Sequence, residues 1–240
     1  MRRVKGYGQF CPVAKAAEIL TERWTPLVIR ELLLGSTHFN DLRRGVPLMS
    51  PSLLSQRLKT LEDAGIVVRH RSRTPRGFEY RLTSAGKELQ PIVELLGLWG
   101  HRWVEHELTG AELDPSLVMW DMRRRVHGER LPSRRVVVRF EFASAPGGKR
   151  LWWLVLQRND VDVCLRDPGY PVDLTIATDV RSLTRVWVGQ DSFDAASKSG
   201  RIRLSGPREL VKRFGSWLKL SMFAAVDRKL PVVESLGSVE

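Results

Sequence analysis

Apolar residues recur along this chain with two periods, and the change from one to the other falls near its middle. The clearest helical stretch is SPSLLSQRLKTLEDAG, residues 50–65, where Leu54, Leu58 and Leu61 return at i, i+4 and i+7 and predict one buried stripe. Ser50 suits the position that accepts from free N–H groups of the first turn, Pro51 the first helical position, and Gly65 the left-handed stop. The opposite face is polar: Ser52, Ser55, Gln56 and Lys59, with Arg57 beside it. Two strands follow, Ile66 to Arg71 and Phe78 to Thr83, and the tip between them holds Arg71, Arg73, Pro75, Arg76 and Gly77.

Upstream the period is again helical. Cys11-Pro12 opens a pattern with Val13, Ala16, Ala17 and Leu20 on one face; Thr25-Pro26 caps and starts another, with Leu27, Val28, Leu32 and Leu33 apolar and Gly35 ending it. A short helix is predicted over Phe39–Val46, and the basic stretch Met1–Gln9 reads as an arm. Downstream, one long helix is predicted from Ser84 to about His106, with Leu89, Ile92, Leu96, Trp99 and Trp103 along one side. The order helix, helix, short helix, turn, longer helix and hairpin predicts a mainly-α winged helix-turn-helix domain over residues 1–107.

Beyond residue 108 the period falls to two. Strands are predicted over Arg134–Ala143, Leu151–Gln157, Val161–Arg166 and Val172–Thr178, with turns at Pro146-Gly147-Gly148, Asn159-Asp160 and Asp167-Pro168-Gly169. A fifth, late strand is Arg201–Ser205. Helices are predicted from Asp114-Pro115, over Val180–Val188 and Asp194–Ser199, and from Pro207 as far as Phe223. Four successive strands joined by turns imply an α+β domain, residues 108–240, with a mostly antiparallel sheet and helices on one face. Arg123, Arg124 and Arg125 read as a solvated face near a helix end.

Charge changes the picture more than composition does. Hydrophobic residues make up 42% of the chain, enough for two packed cores. The formal net charge of +12 argues for a polyanionic partner, but it divides evenly between the halves and does not say which half meets it. The pattern of the 50–83 stretch does. A helix with a polar outer face can lie in the major groove of double-stranded DNA, where side chains meet base edges, and an arginine-tipped hairpin can hold phosphates or enter the minor groove. The residues expected at DNA are Ser50, Ser52, Ser55, Gln56, Arg57, Lys59, Arg71, Arg73 and Arg76. The apolar side of the 84–106 helix, Leu89, Ile92, Leu96, Trp99 and Trp103, needs a cover, either a second subunit or the second domain.

The first 105 residues resemble the HxlR family of winged-helix transcription regulators. Cys11-Pro12, Arg23-Trp24-Thr25, Phe39-Asn40-Asp41-Leu42, Ser50-Pro51, Leu53-Leu54, Arg57-Leu58, Leu61-Glu62 and Gly65 carry the resemblance. It implies operator binding as a homodimer through helices that flank the reading head. It also implies a possible sensing role for Cys11, for which some members use a low-pKa thiol; a small packed side chain at a helix start is the reading favoured here. The second half is similar to the sterol-carrier-protein fold through Thr178-Asp179, Leu183, Trp187 to Gly189, Ser199-Gly200, Arg203-Leu204 and Gly206-Pro207. That similarity implies an apolar small-molecule effector, acyl or sterol-like, in a tunnel lined by Trp152, Trp153, Trp187, Phe193, Trp217 and Phe223. The same residues could equally fill a core.

Other chemistry is not encoded in the pattern. Five histidines form no HExxH or Cys/His spacing, so no metal and no cofactor is expected. GxSxG, P-loop and GxGxxG motifs are missing, and Asp160 and Asp162 are unsupported as a catalytic pair. The expectation is a regulator and not an enzyme, cytoplasmic and without a membrane segment. A lipid-binding carrier whose winged helix makes protein contacts only is the alternative.

Overall fold

The computed structural model describes residues 6–72, 77–104, 108, 110, 112–143, 145 and 148–226. They fall into two compact units, Met1–Leu96 and Gly97–Glu240.

In the first unit, helices α1 (Pro12–Leu20), α2 (Thr25–Leu33), α3 (Phe39–Gly45) and α4 (Pro51–Asp63) precede a two-stranded antiparallel hairpin, β1 (Val67–Arg71) and β2 (Phe78–Leu82). The core joins Val28, Ile29 and Leu32 of α2, Leu42 of α3, Leu54, Leu58 and Leu61 of α4, and Ile66 and Val67. The leucine period of α4 therefore faces the core, as expected. Ser50 caps α4: its Oγ accepts from Leu53 N–H at 3.2 Å. The cap of α2 lies one residue earlier than expected, on Trp24 with φ at +78°, and Thr25 Oγ1 is buried with no partner among the described residues.

A buried charge fixes α2 against α3. Glu31 is fully buried, accepts from Arg30 Nη2 at 2.9 Å, and the same guanidinium donates to the Gly45 carbonyl at 3.2 Å. Only a glycine fits at 45, because a Cβ there would stand 1.9 Å from the Glu31 carboxyl carbon. The hairpin is held from the other side. Tyr80 N–H donates to the Thr37 carbonyl at 2.8 Å and His38 bridges to Glu79, so the entry to α3 acts as a third, minimal strand beside β2.

The expected single helix from Ser84 is two: α5 (Ser84–Lys87) and α6 (Gln90–Trp103). Pro91 explains the break. It has no N–H to continue the ladder and its ring excludes the carbonyl of the preceding turn. Apolar periodicity alone runs through such a site unaltered.

In the second unit, α7 (Pro115–Arg124) and a short 3-10 turn, Gly128–Arg130, lead to strands β3 (Val136–Phe142), β4 (Leu151–Gln157), β5 (Asp160–Cys164) and β6 (Leu174–Thr178). Helices α8 (Val180–Trp187) and α9 (Phe193–Lys198), strand β7 (Ile202–Ser205) and helix α10 (Arg208–Trp217) complete it. The sheet order is β5-β4-β3-β6-β7. The expected succession of four neighbouring strands is corrected: the sheet is mixed, with three antiparallel pairings and one parallel among the described residues, because β6 does not pair with β5 but returns to lie parallel to β3, Phe140 beside Ile176. Asp173, in the entry to β6, helps hold this crossover: its carboxylate accepts from Val137 N–H at 2.9 Å and from Arg134 Nη1 at 2.7 Å. One face of the sheet, with Val138, Phe140, Leu154 and Ile176, packs against Met119 of α7, Leu183 of α8 and Phe214 of α10.

Two further expectations are corrected. The last helix stops at Trp217, and Leu218 turns extended to bridge with Val126. The three arginines after Trp120 are not a freely solvated face: Arg123 and Arg124 lie over the Trp120 ring at 5.0 and 5.6 Å, and Arg124 and Arg125 reach Asp121 at 3.4 and 3.6 Å.

Candidate nucleic-acid interface

The side of α4 away from the core carries Ser52, Ser55, Gln56 and Lys59, all exposed, at spacings that stack them along one face of a helix. Their side chains contribute nothing to the core. Lys59 alone has an ion pair, to Asp63 at 2.7 Å on the same helix; that hydrogen bond, together with the carboxylate's charge, raises the lysine's pKa and keeps it cationic. Ser50 sits at the start of this face, with its hydroxyl in the cap and within 3.2 Å of Ser52 Oγ.

Arg57 stands apart from this set. It is buried on the inner edge of α4 and its Nη2 donates to Glu22 Oε2 at 3.1 Å, so it ties α4 to the α1–α2 connection instead of facing outward with the others. The helical period had put it beside the polar face; its length lets it fold inward.

On the hairpin, Arg71 is exposed and has no hydrogen-bond or ion-pair partner among the described residues. Arg69 is held, its guanidinium 4.6 Å from the Phe78 ring and 3.5 Å from Glu62. Arg81 is paired with Glu79 at 2.8 Å. The expected contacts Arg73 and Arg76 lie outside the described residues. Arg43, exposed in the last turn of α3, adds a cation that the sequence reading passed over; its signal was the Arg43-Arg44 pair in the short helix before the turn.

A second surface lies on α6. Ile92, Leu95, Leu96, Trp99 and Trp103 are exposed, Trp99 to 58%, while Leu89 and Val93 turn into the first unit's core. Of the expected stripe, then, Leu89 packs inward and the other four are exposed. Phe10 and Val13, at the start of α1, are also largely exposed, which the predicted inward face of that helix did not foresee. Cys11 between them is half-buried with a free thiol.

The residues expected to line a tunnel are mostly packed together. Trp152, Trp187 and Trp217 are buried in the second unit's core, with Phe193 packed against it. Phe214 lies 5.8 Å from Phe193 and 5.9 Å from Trp217, ring to ring. Trp187 Nε1 donates to Asp121 at 2.8 Å. Trp153 alternates with Trp152 and so points to the other face of the sheet, where its Nε1 is buried without a partner among the described residues. Phe223 is elsewhere again, stacked on His101 with ring centroids 6.2 Å apart and pressed on Gly97.

A helix, a tight turn and a second helix with a free polar face, followed by a cationic hairpin, define a winged helix-turn-helix protein. The chain belongs to the HxlR-like helix-turn-helix family, which residues 19–108 match. It is 39% identical over 99 residues to the HTH-type transcriptional regulator YvaP of Bacillus subtilis (strain 168), covering 40% of this chain and 92% of that protein. It is 34% identical over 117 residues to the HTH-type transcriptional regulator Rv3095 of Mycobacterium tuberculosis (strain ATCC 25618 / H37Rv), covering 44% of this chain and 73% of that one. Among solved structures, the redox regulator HypR in its oxidised form is 33% identical and covers 38% of this chain and 94% of that chain, with a TM-score of 0.36. YvaP and Rv3095 are transcriptional regulators, and each of the three proteins leaves more than half of this chain unmatched. Among the described residues, no helix is long and apolar enough to cross a membrane.

Proposed function

We propose that this chain is a sequence-specific, cytoplasmic DNA-binding transcription regulator that acts as a homodimer and carries a sterol-carrier-like effector domain in residues 108–240. The observation that carries the reading is the outward face of α4: Ser52, Ser55 and Gln56 are exposed and polar, and Lys59 stays charged beside them. In the major groove such side chains reach base edges, while Arg71, Arg73 and Arg76 of the hairpin and Arg43 of α3 meet phosphates. The open stripe Ile92, Leu96, Trp99 and Trp103 supports the dimer, since an apolar surface of this kind is stable in water only when covered. Two reading heads would prefer half-sites about 10 base pairs apart or a multiple of that.

Regulation then follows from linkage. An effector that prefers one dimer geometry shifts operator affinity by the ratio of its two binding constants.

The test is fluorescence anisotropy with duplexes from the region upstream of the chain's own gene and with a scrambled duplex, at several salt concentrations. Tighter binding to one upstream segment is expected. No binding to any duplex in dilute buffer would overturn the reading.

A further inference from the structure

A cleft of about 650 Å³ opens at one end of the second unit's sheet. Part of its wall is a register row across four strands: Leu151 opposite Glu141, Glu141 beside Ala177, and Ala177 opposite Arg203. The neighbours of these residues along each strand, Trp152, Phe140, Ile176 and Ile202, point into the helix-covered core. Strand alternation therefore sends the row to the opposite face, away from α7, α8 and α10. Arg150 and Arg201 stand at the rim.

The charges around this cleft do not cancel. Of its two carboxylates, Asp179 is engaged as the cap of α8, accepting from Ser182 N–H at 2.8 Å and Ser182 Oγ at 2.7 Å. Glu141 is paired with Arg139 at 2.6 Å. Arg201 is held by Asp191 at 2.6 Å. Arg150 and Arg203 remain, both exposed, their side chains without a hydrogen-bond or ion-pair partner among the described residues. A lone solvated arginine on a convex surface needs no explanation. Two that border one concavity focus the field inside it, and their planar forks match a carboxylate or phosphate. Beside them, Leu151 and Ala177 offer an apolar wall.

We propose that this cleft binds a small anionic amphiphile, its carboxylate or phosphate head held in the cleft by the field of Arg150 and Arg203 and its apolar body along Leu151 and Ala177. The inference rests on the effector reading of residues 108–240 and deepens it: the ligand is charged at one end and lies on the face of the sheet away from α7, α8 and α10, not enclosed between sheet and helices.

Isothermal titration of the full chain with octanoate, octyl phosphate, inorganic phosphate and 1-octanol tests it, on the native protein and on Arg150→Gln, Arg203→Gln and Arg158→Gln. The last alters an exposed arginine at a different cleft. Octanoate or octyl phosphate is expected to bind one to one, at least tenfold tighter than phosphate or octanol, and the better of the two heads identifies the ligand's own. Either cleft variant should weaken that binding at least tenfold, and Arg158→Gln should leave it unchanged. Octanol bound as tightly as octanoate, with no effect of the arginines, would remove this site and leave an apolar effector standing. Inorganic phosphate bound as tightly as octyl phosphate would remove the amphiphile. Absence of binding by all four would overturn both this site and the effector reading.

Discussion

Arg57 Nη2 donates to Glu22 Oε2 at 3.1 Å, and that one bond fastens the inner edge of α4 to the connection between α1 and α2. The arginine side chain is 11% exposed, the glutamate 45%. Removing the glutamate leaves a mostly buried cation without its counter-charge. Glu22→Ala should therefore destabilise the first unit by about 1–3 kcal/mol, read as a lower urea midpoint, while DNA affinity of the folded protein changes little. Arg57→Ala should lower the midpoint too. An unchanged midpoint with lost DNA binding would return Arg57 to the phosphate contacts.

On the outer side of the same helix the effects should separate differently. Gln56→Ala is expected to relax preference at a single base position, by about 1–3 kcal/mol of discrimination, and to leave random DNA unaffected. Arg71→Ala, and likewise Arg73→Ala or Arg76→Ala, should weaken all duplexes alike and reduce the slope of log affinity against log salt by about 1. Anisotropy over a set of single-base operator variants and three salt concentrations distinguishes the two patterns.

The open stripe of α6 gives a third expectation. Trp99→Asp places a charge where Ile92, Leu96 and Trp103 would meet their copies, and should shift the protein from dimer to monomer in light scattering after size exclusion. Affinity for a two-half-site operator should fall with it, and affinity for a single half-site should not. A variant that stays dimeric would move the subunit contact elsewhere.

Phe223 and Gly97 test the packing of the second unit. A Cβ at 97 would stand 2.3 Å from Phe223 Cζ, so Gly97→Ala must displace a ring that also stacks on His101. We expect a loss of about 1–3 kcal/mol and a partial recovery when Phe223→Leu is added. A double-mutant cycle on thermal melts measures that coupling. Purely additive losses would mean that the two residues do not meet in solution.

Acid should act through Asp191. Hydrogen bonds from Arg185 and Arg201 hold its carboxyl below the ordinary value of 3.8, in spite of some opposing desolvation. A depressed folded pKa contributes stability above the unfolded value and loses it as pH falls through the folded one. The second unit should therefore weaken below about pH 4. Asp191→Asn should be less stable at neutral pH and show a flatter acid limb in melts between pH 2.5 and 7.

What the chain's pattern discloses divides along a physical line. The cap at Ser50, the leucine stripe of α4 and the polar face opposite it depend on residues within a few turns of one another, and local spacing reveals them. Pro91 was visible too, yet the apolar period on both sides of it concealed the end of α5. The parallel pairing of β6 with β3 depends on Asp173 meeting Val137, 36 residues away. Alternation within a strand carries no information about which strand lies next to it. The same holds for side-chain destinations: helical period places Arg57 and residue type places Phe223, while their partners Glu22 and Gly97 are remote in sequence.

The four outward side chains of α4 have one more implication. Since Ser52, Ser55, Gln56 and Lys59 are absent from every interior contact that keeps the first unit folded, natural drift or deliberate redesign at these sites is decoupled from the scaffold. A library randomised there alone should yield folded proteins at nearly every member, so a descendant of this gene could come to govern a different promoter without first acquiring a compensating mutation.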